Sequence, residues 1–436
     1  MAWCSMATRE EPLNRLPALE ITQGIAQGRF TAEAVTAACL ARIDAREGVL
    51  GAWAYLDAEA ALARARELDQ GPLRGPLHGV PVGIKDVFDT FDMPTEMGSP
   101  IYTGHRPAAD ASVVATLRAA GAVILGKTVT AEFAGLFPGK TTNPFDATRT
   151  PGGSSSGSAA AVADAMVPVA LGTQTGGSIL RPASFCGIIG FKPSFGAISR
   201  VGLKIAAESL DTVGVLARSI DDAALLTDVL TGQGLAAGGE LADAPAIGLC
   251  RTFLWDTAGD DTIEAVEGAA ARLREAGAPL AEVDMPDAFA GLSGARDTIN
   301  AYERARATAF EWHHHRDGIS DRLAAIIEQG FATPFEAYIG AITQAQDLRA
   351  GLDQMFGPND ALLAPCVPGV APEGLESTGD PAFQGLWTIL HVPTITLPTH
   401  RAGDGLPVGI QLVGRPRDDH RLLSVARWVA ARAGTG

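Results

Sequence analysis

Basic charge is scarce in this chain. Its 436 residues carry 34 Lys and Arg against 50 Asp and Glu, a net charge of −16. Nucleic-acid backbones are held by clustered cations, so the composition argues against a nucleic-acid partner. Cysteine is scarce too. Cys4, Cys39, Cys186, Cys250 and Cys366 are scattered and odd in number, which excludes a disulfide framework and suits a reducing cytoplasm. No run of about 20 uncharged apolar residues occurs, so no spanning helix and no membrane partner are expected. The opening Met1-Ala-Trp-Cys-Ser-Met lacks the basic stretch and apolar core of a secretory leader. A cytoplasmic protein is the expectation.

Two chemical absences narrow the function further. None of the eight histidines (His78, His105, His313, His314, His315, His391, His400, His420) sits in a motif that ties it to a serine through an aspartate. The serine of Gly176-Gly177-Ser178 also lacks the Gly-x-Ser-x-Gly elbow of α/β-hydrolases. Its Gly/Ser-rich turns lack the lysine that follows in a phosphate loop, which removes a nucleotide-binding reading. The His313-His314-His315 run reads as an exposed helix face and not as a metal site.

What the chain does have is concentrated between Pro151 and Pro193. Two turns, Gly152-Gly153-Ser154-Ser155-Ser156-Gly157 and Gly176-Gly177-Ser178, flank an Ala-rich helix former and a short apolar strand. A flexible linker has the same composition. The helix former directly after the first turn argues against that, because a turn feeding a helix presents free N–H groups and a positive dipole end. Glycine lets a ligand approach the backbone. Serine can attack once something takes its proton. With no histidine at hand, a neutral lysine is the other base available, when burial lowers its pKa. Lys85 is the candidate: it is the one lysine in the apolar run Leu77-His-Gly-Val-Pro-Val-Gly-Ile-Lys-Asp-Val-Phe.

These three motifs, in this order, resemble the amidase signature family of serine hydrolases. The likeness runs from about Arg29 to Arg427 and is weak between about Gly234 and Asn359. It implies Ser178 as nucleophile, Ser154 as a bridging serine after a cis peptide bond, and Lys85 as base. It implies backbone N–H groups of Thr175, Gly176, Gly177 and Ser178 as the oxyanion hole. Glu132, Phe133 and Phe137 are implied near the acyl side of the pocket. No metal or other cofactor is implied. Many members carry Asp four residues before the nucleophile and Arg two after it; here these are Gln174 and Leu180. The paired change reads as a concerted, neutral replacement, since removing both members of a buried pair can be nearly neutral. Arg181 is left to find a new partner.

The fold class expected is α/β: one large domain with a mixed, largely parallel central sheet flanked by helices. Residues 1–70 read as an N-terminal helical segment. Residues 71–230 read as the signature core, 231–358 as a variable helical cap, and 359–436 as a return to the same core. Thr31 is expected to cap a helix that Gly48 ends, and Ser219 to cap another from Ile220. Cys186 reads as a packed core thiol. The function expected is hydrolysis of the C–N bond of small neutral amides or carbamates, urethane-type substrates included, in an apolar cleft. The assembly expected is a homodimer with a small-molecule substrate. The competing readings are the glutaminase subunit of a tRNA-dependent amidotransferase, and a silent binding protein on the same fold.

Overall fold

A computed structural model of the chain describes residues 11–434; Cys4 and the opening hexapeptide lie outside them. Among the described residues, eleven strands form one sheet. They are β1 Trp53–Leu56, β2 Pro81–Lys85, β3 Val123–Thr128, β4 Val169–Gln174, β5 Ile189–Lys192 and β6 Thr212–Ala217. The remainder are β7 Ile247–Leu249, β8 Leu280–Glu282, β9 Ala361–Pro365, β10 Thr394–Arg401 and β11 Pro407–Val413. Their order across the sheet is β1-β3-β2-β4-β6-β5-β10-β11-β9-β7-β8. β2, β3, β4, β5, β6, β9 and β11 are buried at every residue, which requires helices on both faces.

The sheet is mixed, as its sequence pattern implies, but it is not largely parallel. Four strand pairings are parallel and six are antiparallel. Short returns cause this. Only Ala402–Leu406 separates β10 from β11, too few residues for a parallel crossover, which needs a dozen or more. A strand buried on both faces is mainly apolar in either arrangement, so its residues do not report direction.

Helix ends follow local chemistry. Thr31 accepts a hydrogen bond from the Ala34 N–H at 3.0 Å and opens the helix Ala32–Leu50. That helix runs past Gly48 and closes at Gly51, which takes the left-handed conformation at φ 60°. Ser219 accepts from the Asp222 N–H at 3.1 Å and opens Ile220–Thr231.

The topology brings the chain's distinctive residues to one edge. β2 and β4 are parallel neighbours, with Ile84 opposite Leu171. Their C-terminal ends therefore meet, and ligands collect at such ends in α/β sheets. Lys85 ends β2; Gln174 ends β4 and leads into the second glycine turn. The first turn feeds the helix Ser156–Ala163, which is buried along nearly its whole length. Its Ser158 hydroxyl donates to the Leu171 carbonyl at 2.8 Å, pinning the helix to β4. Gly157 lies so close to the Ala52 carbonyl oxygen and the Val129 backbone nitrogen that a Cβ would overlap both. Gly157→Ala is therefore expected to cost about 1–3 kcal/mol through overpacking, read as a lower midpoint in denaturant unfolding.

Candidate active site

Lys85 is completely buried. Its Nζ donates to the Ser154 hydroxyl at 2.7 Å and to the Thr173 hydroxyl at 2.7 Å. No carboxylate forms an ion pair with it among the described residues. Desolvation dominates and pushes its pKa down to about 7, with Asp211 opposing and Arg304 adding to the fall. A large fraction of this amine is thus neutral near neutral pH. Two other lysines are as deeply buried, and they differ. Lys127 pairs with Asp86 at 2.9 Å. Lys192 donates to the carbonyls of Pro193 and Val392 at 3.1 and 2.5 Å. Of the three, Lys85 is the one whose partners are both hydroxyls, groups that donate as readily as they accept.

Ser154 reaches Lys85 because the chain reverses at Gly152 and Gly153, with φ of 84° and 61°, values that L side chains rarely adopt. Among the described residues no peptide bond is cis, so the expectation of a cis bond before Ser154 is corrected. Two consecutive left-handed glycines supply the reversal with trans geometry. The two turns then pack on each other. A Cβ on Gly153 would sit 2.6 Å from Pro182 Cδ and 3.1 Å from Ser178 Cα. The Thr378 carbonyl ties both together, accepting from the Gly153 N–H at 2.9 Å and from Arg181 Nε at 2.7 Å. The Ser178 and Ser154 hydroxyls are not hydrogen-bonded to each other in this structure.

Ser178 opens onto a cavity of about 450 Å³ that Thr175, Gly176 and Gly177 also line. Among the described residues, the N–H groups of Gly176, Gly177 and Ser178 donate to no protein acceptor. Free backbone donors on a cavity wall can hold an oxyanion. The loop carrying them is fixed by Gln174. Its Oε1 accepts from the N–H groups of Ile179 and Leu180 at 2.9 and 3.1 Å. Its Nε2 donates to the Thr388 hydroxyl at 2.9 Å, and that hydroxyl donates to the Gly176 carbonyl at 2.7 Å. A neutral amide can accept at one end and donate at the other, which a carboxylate cannot. Thr175 is held in turn: its hydroxyl donates to Asp211 Oδ1 at 2.5 Å.

The cavity is not the apolar cleft expected. Arg181, Arg296, Arg304 and Arg322 all line it. Arg181 donates to the Thr378 carbonyl and hydroxyl, and burial lowers its pKa to about 10. Arg296, Asn300 and Arg304 recur every four residues along the helix Leu292–Ala307, so they share one face. That stripe is the signal in the sequence that would have found them. Glu132, Phe133 and Phe137 do not line the cavity; Ala134, Gly135 and Leu136 do. Glu132 is buried and accepts from the backbone and hydroxyl of Ser320. Phe133 packs with Met97, Leu323 and Ile327, and Phe137 is exposed. Cys186 is a buried free thiol.

A model of the Amidase family matches residues 34–423. This chain belongs to the amidase signature family. Among its relatives in that family is a glutamyl-tRNA(Gln) amidotransferase subunit from Chloroflexus aggregans, 37% identical over 92% of this chain and 93% of the relative. The peptide amidase of Stenotrophomonas maltophilia superposes with a TM-score of 0.84 at 30% identity, covering 97% of this chain and 98% of that one. A chain from a vestigial protein complex, reported as revealing the origins of an s-triazine catabolic enzyme, gives a TM-score of 0.88 at 31% identity, covering 97% and 99%. The fold of this amidase-family chain, one large mixed sheet flanked by helices, is the fold these neighbours share.

Replacing Gln174 by Ala strands the N–H groups of Ile179 and Leu180 inside the protein. Gln174→Ala is expected to lower unfolding stability by about 2–3 kcal/mol, measured by chemical denaturation.

Proposed function

We propose that this chain is a serine amidohydrolase that cleaves the C–N bond of a small amide. The observation that carries the proposal is the buried Lys85 amine, 2.7 Å from the Ser154 hydroxyl and without a carboxylate partner among the described residues. Neutral Lys85 accepts a proton from Ser154 as Ser154 accepts one from Ser178. The Ser178 oxygen attacks the amide carbonyl carbon. The N–H groups of Gly176, Gly177 and Ser178 take the oxyanion; one such donor typically lowers a barrier by about 3–4 kcal/mol. Ser154 returns a proton to the leaving nitrogen as the C–N bond breaks, leaving an acyl ester on Ser178. Water hydrolyses that ester. Relay between the two serines requires their hydroxyls to approach when substrate binds, as catalytic contacts often tighten only in the complex.

A second reading has its own support. Relatives named as glutamyl-tRNA(Gln) amidotransferase subunits align along nearly the whole chain, at 37% and 36% identity. In that reading the amide is glutamine and the ammonia passes to a partner-dependent transfer. Ammonia and amine release from glutamine, primary amides, p-nitroanilides and aryl carbamates separates the two. Broad turnover by the isolated chain supports the hydrolase. Activity confined to glutamine and raised by partner subunits supports the amidotransferase. Turnover that survives in Ser178→Ala removes Ser178 from its role, and a binding-only protein turns over nothing at all.

Two outcomes follow from Lys85. Because the neutral amine is the base, kcat/KM is expected to rise about tenfold per pH unit up to about pH 7 and then level. Lys85→Met is expected to lower kcat by about 10³-fold or more. The same variant is expected to be more stable than the parent. The folded pKa lies below the unfolded value, so the unfolded chain binds the extra proton between about 7 and 10.5. The amine therefore destabilises the fold most below pH 7, and that penalty fades as pH rises towards 10.5. Thermal melts should show the gain of Lys85→Met largest at pH 6 and shrinking at pH 9.

A further inference from the structure

The cavity in front of Ser178 carries the wrong sign for this protein. The chain has a net charge of −16, yet four arginines and a single acid, Asp297, line the cavity. Asp297 is engaged by Arg296 at 2.8 Å. Arg181, Arg304 and Arg322 form no ion pair among the described residues. Arg181 and Arg304 are nearly inaccessible, at 1% and 3% exposure, and buried cations are ordinarily paired.

Each of the three hydrogen-bonds only to neutral groups; Asp211 and Glu132 act on Arg304 from a distance, without an ion pair. Arg304 donates to the Phe133 carbonyl at 3.1 Å and to Asn300 Oδ1 at 3.4 Å. Arg322, on the exposed side of the helix Asp321–Ala332, donates to the Glu376 carbonyl at 2.6 Å. Arg181 is fixed by Thr378, and its Nη1 has no hydrogen-bond partner. That nitrogen lies 2.9 Å from where a Gly177 Cβ would be, so the charge rests against the oxyanion turn itself. Asp380 is the acid that acts on Arg181, and it does so without forming an ion pair. A guanidinium held at Nε with a terminal nitrogen left over is a receptor for an anion of carboxylate geometry.

We infer that the amide substrate bears a carboxylate of its own, which Arg322 draws in and Arg181 and Arg304 hold. The inference rests on the hydrolase reading above and names its substrate class: monoamides of dicarboxylic acids and amino-acid amides of that kind. Glutamine belongs to the class, so the inference does not choose between the two functional readings. It does replace the neutral aryl and alkyl amides that the sequence suggests.

The test pairs each acid with its uncharged counterpart: succinamic, glutaramic and adipamic acids against butyramide, pentanamide and hexanamide, with ammonia release by the full chain as the readout. At least one acid is expected to exceed its counterpart at least tenfold in kcat/KM. Raising ionic strength is expected to reduce that preference, because the Debye length shrinks to about 3 Å near 1 M salt. Arg322→Gln, a change at an exposed position, is expected to raise KM for the acid severalfold and so to shrink the preference for the acid over its neutral counterpart. Equal or better turnover of the neutral amides overturns the inference and leaves the hydrolase reading standing. If no amide is turned over, calorimetric binding of glutarate to Ser178→Ala decides. Binding that weakens in the Arg304→Gln form upholds the carboxylate site while the hydrolase reading falls; absence of binding overturns both.

Discussion

An amine that the fold buries without a counterion is the constraint on which the rest of this site depends. Taking an ammonium out of water is costly, and the group responds by shedding its proton. The protein has to make that response productive. Lys127 shows one alternative, a buried lysine answered by Asp86, which favours the charged form. Lys192 shows another, a lysine gripped by main-chain carbonyls, which can only receive. Lys85 faces Ser154 and Thr173 instead. A hydroxyl can donate to a neutral amine or accept from a charged one, so the site tolerates both protonation states without rearranging. The sheet enforces this. Lys85 ends a strand flanked on both sides by parallel neighbours, and every residue of that strand is buried.

The same restraint in charge governs the turn that carries Ser178. Where many relatives place an aspartate and an arginine, this chain places Gln174 and Leu180. The structure shows why that works. Gln174 accepts two N–H groups after the turn and donates, through Thr388, to a carbonyl within it. One neutral side chain thereby spans the loop from end to end. Leu180 is free to enter the core, where it is fully buried. Arg181 turns the other way and takes Thr378. The loop is held by hydrogen bonds between neutral groups, and no acid on it competes with an incoming oxyanion or carboxylate.

How much of this could be read from the residues depended on how local each feature is. The order Lys85, Ser154, Ser178 was legible because glycine turns and a lone lysine in an apolar run are short-range signals. The meeting of Lys85 with Ser154 across 69 residues is borne by strand order, in which β2 pairs in parallel with β4 as well as with β3, and no local signal carries the second pairing. Other features were not legible. The sheet's direction is hidden because buried strands are mainly apolar whichever way they run. The trans bond before Ser154 goes with the φ of two glycines, which composition does not fix. Thr173 is an ordinary strand threonine until Lys85 is placed beside it. Arg296 and Arg304 come from a helical region read as variable; their four-residue spacing is legible, but that this helix face is turned to the cavity is not.

That last blind spot has a physical reading. Cations that stabilise a fold are placed where they find carboxylates, and this chain has carboxylates to spare. Arg42 and Arg46 share Asp164, and Arg251 joins Glu267 and Glu282. Around Ser178 the nearby acids are otherwise engaged, Asp211 by Thr175 and Asp297 by Arg296. Three arginines are kept from pairing among the described residues, although burial makes an unpaired charge costly. A folding requirement would have paired them or replaced them with apolar residues of similar size. Their persistence beside free backbone donors marks a place where the missing partner arrives from outside. A low-dielectric pocket of positive sign within an acidic surface also focuses the field on its mouth. Anions that the rest of the molecule repels are then admitted at one point, within reach of Ser178. Stability is given up there in the same way, and for the same purpose, as at Lys85.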